Sequence, residues 1–261
     1  MKTNYFNLSY ANDSEQERAF LKVSVLGSLQ HAAFAAGDVV FDWVSIDIPR
    51  GTSRILGATS ILRSRGNDAA TAQPTGIDFI FSRGTAEGAA PATIGVANDE
   101  AMLTPNNDII GVLPAVDANI VGTAQVVVTS TAASPLVVEQ HAHHPIHGTV
   151  SAGAGIQPHQ TKLYVAGIAA GAIDFRSLAR VNETGFGAGE QSVITTDGTD
   201  PRQMFIQGDV LVAHDDAAIG TLKTADSATQ ITLSLANTDI IADSDFIYNK
   251  FPIRFALHCS K

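Results

Sequence analysis

A histidine-rich segment, HAHHPIHGTVSAGAGIQPH, holds five of the eight histidines within nineteen residues. Imidazole nitrogen is a common ligand of Zn²⁺ and related ions. On an extended chain His141 and His143 would point to one side, so three chains at a threefold axis could supply six nitrogens to one ion. Pro145 and Gly148 instead favour a solvated polar turn, and no carboxylate or thiol lies at a helpful spacing. We therefore predict no metal site; a bound ion would be held by His141, His143 and His144.

Four aspartates lie in turn-like contexts, in TTDGTDPR (Asp197, Asp200) and AHDDAAIG (Asp215, Asp216). Carboxylate oxygens are the ligands that Ca²⁺ prefers, but an EF-hand loop has another spacing and ends in a bidentate Glu. Asp side chains also close tight turns by accepting nearby backbone N–H groups. The second interpretation explains these residues without an ion, and we predict turns.

Catalytic signatures are missing from the chain. It contains no G-x-S-x-G, G-x-G-x-x-G or Walker motif, and nothing marks any pair among its 26 acidic residues for glycoside hydrolysis. The single cysteine, Cys259, follows His258, which on a strand would point to the opposite face. We predict a protein that is not an enzyme, with no catalytic residues and no cofactor.

The elements that would position any site are strands. Apolar residues alternate along the last quarter of the chain, and turn residues such as Gly208-Asp209 and Asp215-Asp216 separate the alternating runs. The inward-facing set is predicted to be Phe205, Val210, Val212, Ile219, Leu222, Ile231, Leu233, Leu235, Ile253, Phe255 and Leu257. Short antiparallel strands with tight turns are typical of a small β-barrel, and four similar runs between residues 20 and 84 are spaced as in a sandwich or jelly roll.

The sequence thus predicts an all-β protein, in which an N-terminal β-sandwich or jelly-roll-like domain precedes a small C-terminal β-barrel. The predicted bounds are a polar arm over residues 1–18, a sandwich over 19–171 with a His-rich insertion at 139–160, a linker over 172–195, and a barrel over 196–261. The linker assignment depends on the Gly-rich stretch GFGAG.

Composition limits the classes of partner. Charged residues make up 16% of the chain, below the usual share of about 25%, so much of the surface is expected to pack against something else. The net charge of −10 repels phosphate, and no Lys/Arg run offsets it, so we predict no direct nucleic-acid binding. No apolar stretch approaches ~18 residues and no signal-peptide pattern begins the sequence, so we predict no membrane association and synthesis in the cytoplasm.

Three blocks of sequence carry a resemblance to known proteins: IDIPRGTSRILGATSILRSRG at 46–66, IDFIFSR at 77–83, and GDVLVAHDDAAIGTL with TQITL and DFIYNKFPI near the end. Together they resemble a group of tailed-bacteriophage structural proteins encoded among head genes, and the terminal block resembles the small β-barrel modules of phage head and neck proteins. The resemblance implies a virion component of the capsid decoration or cement type, with no catalytic residues to carry over. The His-rich insertion lies outside it.

The expected function is therefore a non-enzymatic virion structural protein, located on the capsid surface, that assembles on and stabilises a phage capsid as a decoration, cement or minor capsid protein. Its expected partners are the major capsid protein and copies of itself in a trimer, and the arm residues Tyr5, Phe6 and Tyr10 would cross onto neighbours. A tail or neck adaptor would share the barrel. A carbohydrate-binding module would share the sandwich, but it should expose an aromatic platform, and the chain has one Trp and four Tyr.

Overall fold

The structure is a computed structural model that describes residues 16–23, 25, 27–47, 51–63, 73, 75–85, 90–95, 107–115, 120–121, 126–140 and 162–260. Within these ranges the chain forms fifteen strands and two four-residue helices, which confirms the all-β prediction. In chain order the elements are β1 (Gln16–Val23), α1 (Gly27–Gln30), β2 (Val39–Asp47), β3 (Gly51–Leu62), β4 (Ile77–Thr85), β5 (Asn107–Leu113), β6 (Ile120–Val121), β7 (Val126–Gln140), β8 (Lys162–Ala169), β9 (Arg180–Val181), β10 (Val193–Asp197), α2 (Pro201–Met204), β11 (Val210–Ala213), β12 (Ala218–Ser227), β13 (Gln230–Leu233), β14 (Ile247–Asn249) and β15 (Ile253–Ser260).

Two antiparallel sheets form the sandwich. One has the strand order β1-β15-β3-β7-β6 and the other the order β2-β8-β4-β5. Alternate residues of β15 are buried, because a strand places every second side chain on one face, and these residues join side chains of β4 and β8 in one apolar core. The rings of Phe79 and Phe255 connect the two sheets with centroids 5.0 Å apart. Burying one such ring contributes about 1.5–3 kcal/mol.

The third sheet, of order β14-β11-β12-β13-β10-β9, curls into a barrel with its own apolar core. Its two end strands meet just before β14, where Phe246 forms a bridge with Arg180 of β9. The backbone N–H of Ile247 donates to the carbonyl of Ala179 at 2.9 Å, and that of Val181 donates to the carbonyl of Asp245 at 2.9 Å. These bonds pair backbone groups that an open sheet edge would leave to water. The predicted small barrel is therefore present.

The last strand does not belong to the barrel, although the predicted barrel ran to residue 261. β15 pairs with β1 on one side and with β3 on the other, in the middle of the five-stranded sandwich sheet. Alternation along β15 indicates a strand with one buried face, but not which sheet it joins. The same pairing corrects the predicted arm over 1–18, because residues 16–18 lie in β1 and pair with residues 258–260.

The predicted linker over 172–195 is also wrong, because most of this stretch is built into the two cores. Phe175 is buried in the sandwich core, whereas Ala179, Phe186 and Ile194 are buried in the barrel core. The chain thus crosses from sandwich to barrel within residues 176–178. It crosses back between Ile247 in the barrel core and Ile253 in the sandwich core, so the barrel is an insertion between β8 and β15.

Candidate functional site

The predicted arm and histidine residues lie outside the described residues. These are Tyr5, Phe6, Tyr10, His141, His143 and His144. Strand β7 extends to Gln140, so it includes the first two residues of the predicted insertion over 139–160. The roles proposed for the arm and for the histidines stay predictions.

The four aspartates of the predicted turns are all described. Asp197 forms an ion pair with Arg180, with 2.8 Å between Oδ1 and Nε. Asp200 accepts the backbone N–H of Arg202 at the start of α2, and its hydrogen bonds with Arg202 lower the pKa of its carboxyl group. Asp215 accepts the N–H of Ala217 at 3.0 Å, and Asp216 has a positive φ of 70°. Both belong to the turn between β11 and β12, as predicted.

Within the described ranges, no three His, Cys, Asp or Glu side chains are grouped so that they could hold a metal ion. Cys259 is buried in the sandwich core, and the neighbouring His258 forms a 3.0 Å hydrogen bond between its Nε2 and Oγ1 of Thr59 on β3. The thiol and the imidazole therefore have separate surroundings on the two faces of β15.

Two large apolar side chains are strongly exposed on the barrel. Leu235 is 80% exposed and Ile240 is 74% exposed, and both lie in the first part of the connection between β13 and β14, residues 234–241, which we call the 234–241 loop. Leu235 was predicted to face inward as the next alternate residue after Ile231 and Leu233. The strand ends at Leu233, so the alternation stops before Leu235, and that prediction is wrong.

Asn237 holds the 234–241 loop from inside and is almost completely buried. Its side-chain amide donates to the carbonyl of Gly187 at 2.7 Å and to that of Asp239 at 2.6 Å, and its carbonyl oxygen accepts the N–H of Gln191 at 2.9 Å. The Asn237 backbone also bonds to Gln191 and Gly189. One buried side chain thus ties the loop to the stretch between β9 and β10.

A second set of contacts fixes the loop on its other side. The Oδ2 atom of Asp239 accepts the N–H of Ala218 at 2.8 Å, and the hydroxyl of Thr238 donates to the Ala218 carbonyl at 2.7 Å. Ile241 bridges Phe186 and is buried in the barrel core. Leu235 and Ile240 therefore project from backbone that is attached on both sides, and a partner could bind them without first ordering the loop.

Charged side chains connect the barrel to the sandwich at a buried junction. Asp209, on the turn before β11, has a fully buried side chain that accepts from Nη2 of Arg63 and, at 3.2 Å, from Nη2 of Arg254. Its second oxygen accepts the N–H of Ile206 at 2.9 Å. Burial lowers the pKa of the Arg63 guanidinium, Asp209 opposes that shift, and Arg254 adds to it.

Neutral side chains complete the junction. The amide of Gln30 donates to the carbonyls of Val25 and Asn249, at 2.8 and 2.9 Å, and so connects α1 to β14. The hydroxyl of Tyr248 shares a 2.7 Å hydrogen bond with Nδ1 of His31. Burial raises the pKa of Tyr248 to about 12. Direct side-chain contacts therefore hold the barrel against the sandwich in one orientation.

Models of known protein families, curated protein sequences and solved structures show no match to this chain. None of the helices in the described residues is long and apolar enough to cross a membrane. The roles of the 234–241 loop and of the charged junction are therefore inferred from their geometry.

Proposed function

We propose that this chain is a non-enzymatic virion structural protein that assembles on and stabilises a phage capsid. The observation that carries the proposal is the pair of exposed side chains, Leu235 and Ile240, on a loop attached at both sides. Isolated exposed apolar residues are ordinary, but two large ones at 80% and 74% exposure in one short loop are suited to contact with another protein. The resemblance of the terminal block to phage head modules indicates that this other protein is a capsid component.

Burial of this pair would supply useful binding energy. Covering one fully exposed Leu or Ile side chain contributes about 1.5–3 kcal/mol. A closed shell repeats each contact at every equivalent position, so even modest energy per subunit stabilises the whole particle. A preordered loop also avoids most of the entropy cost of ordering it on binding.

The junction supports the same proposal. A subunit that connects neighbours in a shell must present its surfaces at fixed relative positions, and the contacts of Asp209 with Arg63 and Arg254 fix the barrel against the sandwich. The net charge of −10 suits the outer surface of a capsid better than contact with packaged DNA. We therefore propose the major capsid protein and copies of this chain, in a trimer, as its partners, and the capsid surface as its location.

The test measures binding to particles of the encoding phage that lack this protein. We expect the wild-type protein to sediment with the particles and to raise their temperature of disruption. The variant Leu235→Ser with Ile240→Ser should lose at least ten-fold in affinity, because at least about 1.4 kcal/mol of apolar burial is removed. The control is Val137→Ser, which changes an apolar residue that is 49% exposed on the sandwich strand β7.

A second variant tests the arm. Deleting residues 1–15 stops short of β1, so the sandwich sheet keeps all the strands that the structure describes, and loss of binding by this variant would assign the arm to the contact. Equal binding by the wild type and the loop double variant would remove the 234–241 loop from the mechanism. Binding of the wild type to necks or tails in electron micrographs, with bare capsids left uncovered, would replace the capsid role by that of an adaptor.

A further inference from the structure

A small cavity, lined by polar and apolar side chains, lies at the junction between sandwich and barrel. Its volume is about 10 Å³, which is enough for a single small bound molecule or ion. Its walls come from both modules, with Gln30, Arg63 and Pro252 on the sandwich side and Phe205, Tyr248 and Asn249 on the barrel side. An occupant would therefore touch both modules at once.

Two buried hydrogen-bond donors of the cavity walls lack a partner. Nη1 of Arg63 and Nδ2 of Asn249 make no hydrogen bond within the described residues, and both residues are more than nine-tenths buried. Another atom of each side chain is engaged: Nη2 of Arg63 binds Asp209, and Oδ1 of Asn249 accepts the N–H of Phe251 at 2.8 Å. Leaving a buried donor unpaired costs about 1–3 kcal/mol, so buried donors of this kind usually have an acceptor, which can be an ordered water or an ion.

The chemistry of the site favours an anion over water. Both unpaired atoms are donors, and the hydroxyl of Ser177, another lining residue, already accepts from the N–H of Ala179 and still has a proton to donate. The charges also leave an excess, because Arg63 and Arg254 share one carboxylate, that of Asp209. A water molecule would satisfy donors but leave this positive charge in place, whereas an anion would neutralise it.

We propose that the junction cavity binds one small monovalent anion of the size of chloride, held by Nη1 of Arg63 and Nδ2 of Asn249. The anion connects the sandwich to the barrel and completes the charge balance of the junction. Its binding is independent of the capsid role, since the cavity lies inside the chain and not on the 234–241 loop.

The experiment compares thermal unfolding in sodium chloride and in sodium gluconate at one ionic strength. Chloride should raise the midpoint of the full-length protein by about 2–4 °C and then saturate, since a ligand that binds only the folded state stabilises it by mass action. Asn249→Asp keeps the oxygen that binds Phe251 and places a carboxylate oxygen where the amide nitrogen was, so this variant should not respond to chloride. Arg202→Gln, at an exposed arginine on α2, should keep the full response.

A crystal grown in sodium bromide gives the second readout. An anomalous bromide peak between Nη1 of Arg63 and Nδ2 of Asn249 is expected. This peak would demonstrate the bound anion even if Asn249→Asp fails to fold. Equal midpoints in both salts, an equal chloride response in wild type and Asn249→Asp, or a water molecule without anomalous signal in the cavity would each overturn the proposal.

Discussion

Replacing Asp209 by Asn tests the charged junction most directly. The change is nearly isosteric, but it removes the negative charge that faces Arg63 and Arg254, and Arg63 has a side chain only 8% exposed. Removing one partner of a buried ion pair costs about 3–5 kcal/mol, because the other charge stays buried without compensation. At about 2–4 °C per kcal/mol for a protein of this size, the unfolding midpoint should fall by about 6–20 °C.

The assay is thermal unfolding at pH 7, with urea unfolding for the free energies, and two signals are followed in each. Trp43, the single tryptophan, lies on sandwich strand β2 and donates its indole N–H to the Ala92 carbonyl at 2.8 Å, so its fluorescence reports the sandwich. Far-ultraviolet circular dichroism reports the strands of both modules. We expect Asp209→Asn to lower both midpoints, and a separation between the two signals would mean that the barrel has lost its coupling to the sandwich.

Asp197→Asn is the matched control, because its ion pair with Arg180 is on the surface and should contribute only about 0–1 kcal/mol. A double-mutant cycle with Arg63→Met should give a loss smaller than the sum of the two single losses, since each single change leaves an uncompensated partner. A loss below about 1 kcal/mol for Asp209→Asn, or strict additivity in the cycle, would refute the reasoning.

Two further predictions concern Asn237 and Tyr248. Asn237→Ala should lower the free energy of unfolding by about 1–3 kcal/mol in urea titrations, because it leaves buried partners unpaired; Thr224→Ala, on the exposed face of β12, is its control. Burial raises the pKa of Tyr248 to about 12, so its contribution to stability is complete below the ordinary pKa of about 10 and is lost as the pH rises towards 12. Midpoints measured across that window should fall less steeply in Tyr248→Phe than in wild type.

Each of these two predictions has a clear contrary result. Equal urea midpoints for Asn237→Ala and wild type would mean that the 234–241 loop keeps its position without the buried amide. Parallel midpoint curves for Tyr248→Phe and wild type between pH 10 and 12 would mean that this phenol titrates alike in the folded and unfolded states.

Local patterns were sufficient to predict the class of fold. Alternation along β13 and β15 marks strands with one buried face, and the turn residues between β11 and β12 mark a reversal of the chain. Strand partners, in contrast, depend on contacts distant in sequence. The sequence pattern of β15 predicts a fourth barrel strand, but its neighbours β1 and β3 lie near the other end of the chain.

The sequence also failed to predict the structure of the linker stretch and the charged junction, and the cause is similar. GFGAG resembles a flexible linker by composition, but Phe186 within it is buried against Ile241, a contact that spans 55 residues of sequence. The contact of Arg63 with Asp209 joins residues that are 146 positions apart in sequence, and no local motif predicts it. The exposure of Leu235 did have a local signal, because the turn-forming residues Asn237, Thr238 and Asp239 begin two positions later and interrupt the alternation.

The insertion of the barrel between β8 and β15 has a consequence for synthesis of the protein. Strand β15 lies between β1 and β3, so these two strands lack their shared neighbour until the ribosome has made the whole barrel. At about 5–20 residues per second, β1 waits roughly 10–50 s for a partner that is roughly 240 residues away. During that interval two strand edges are open to pairing with other chains, so production at high concentration should favour aggregation before the sandwich closes.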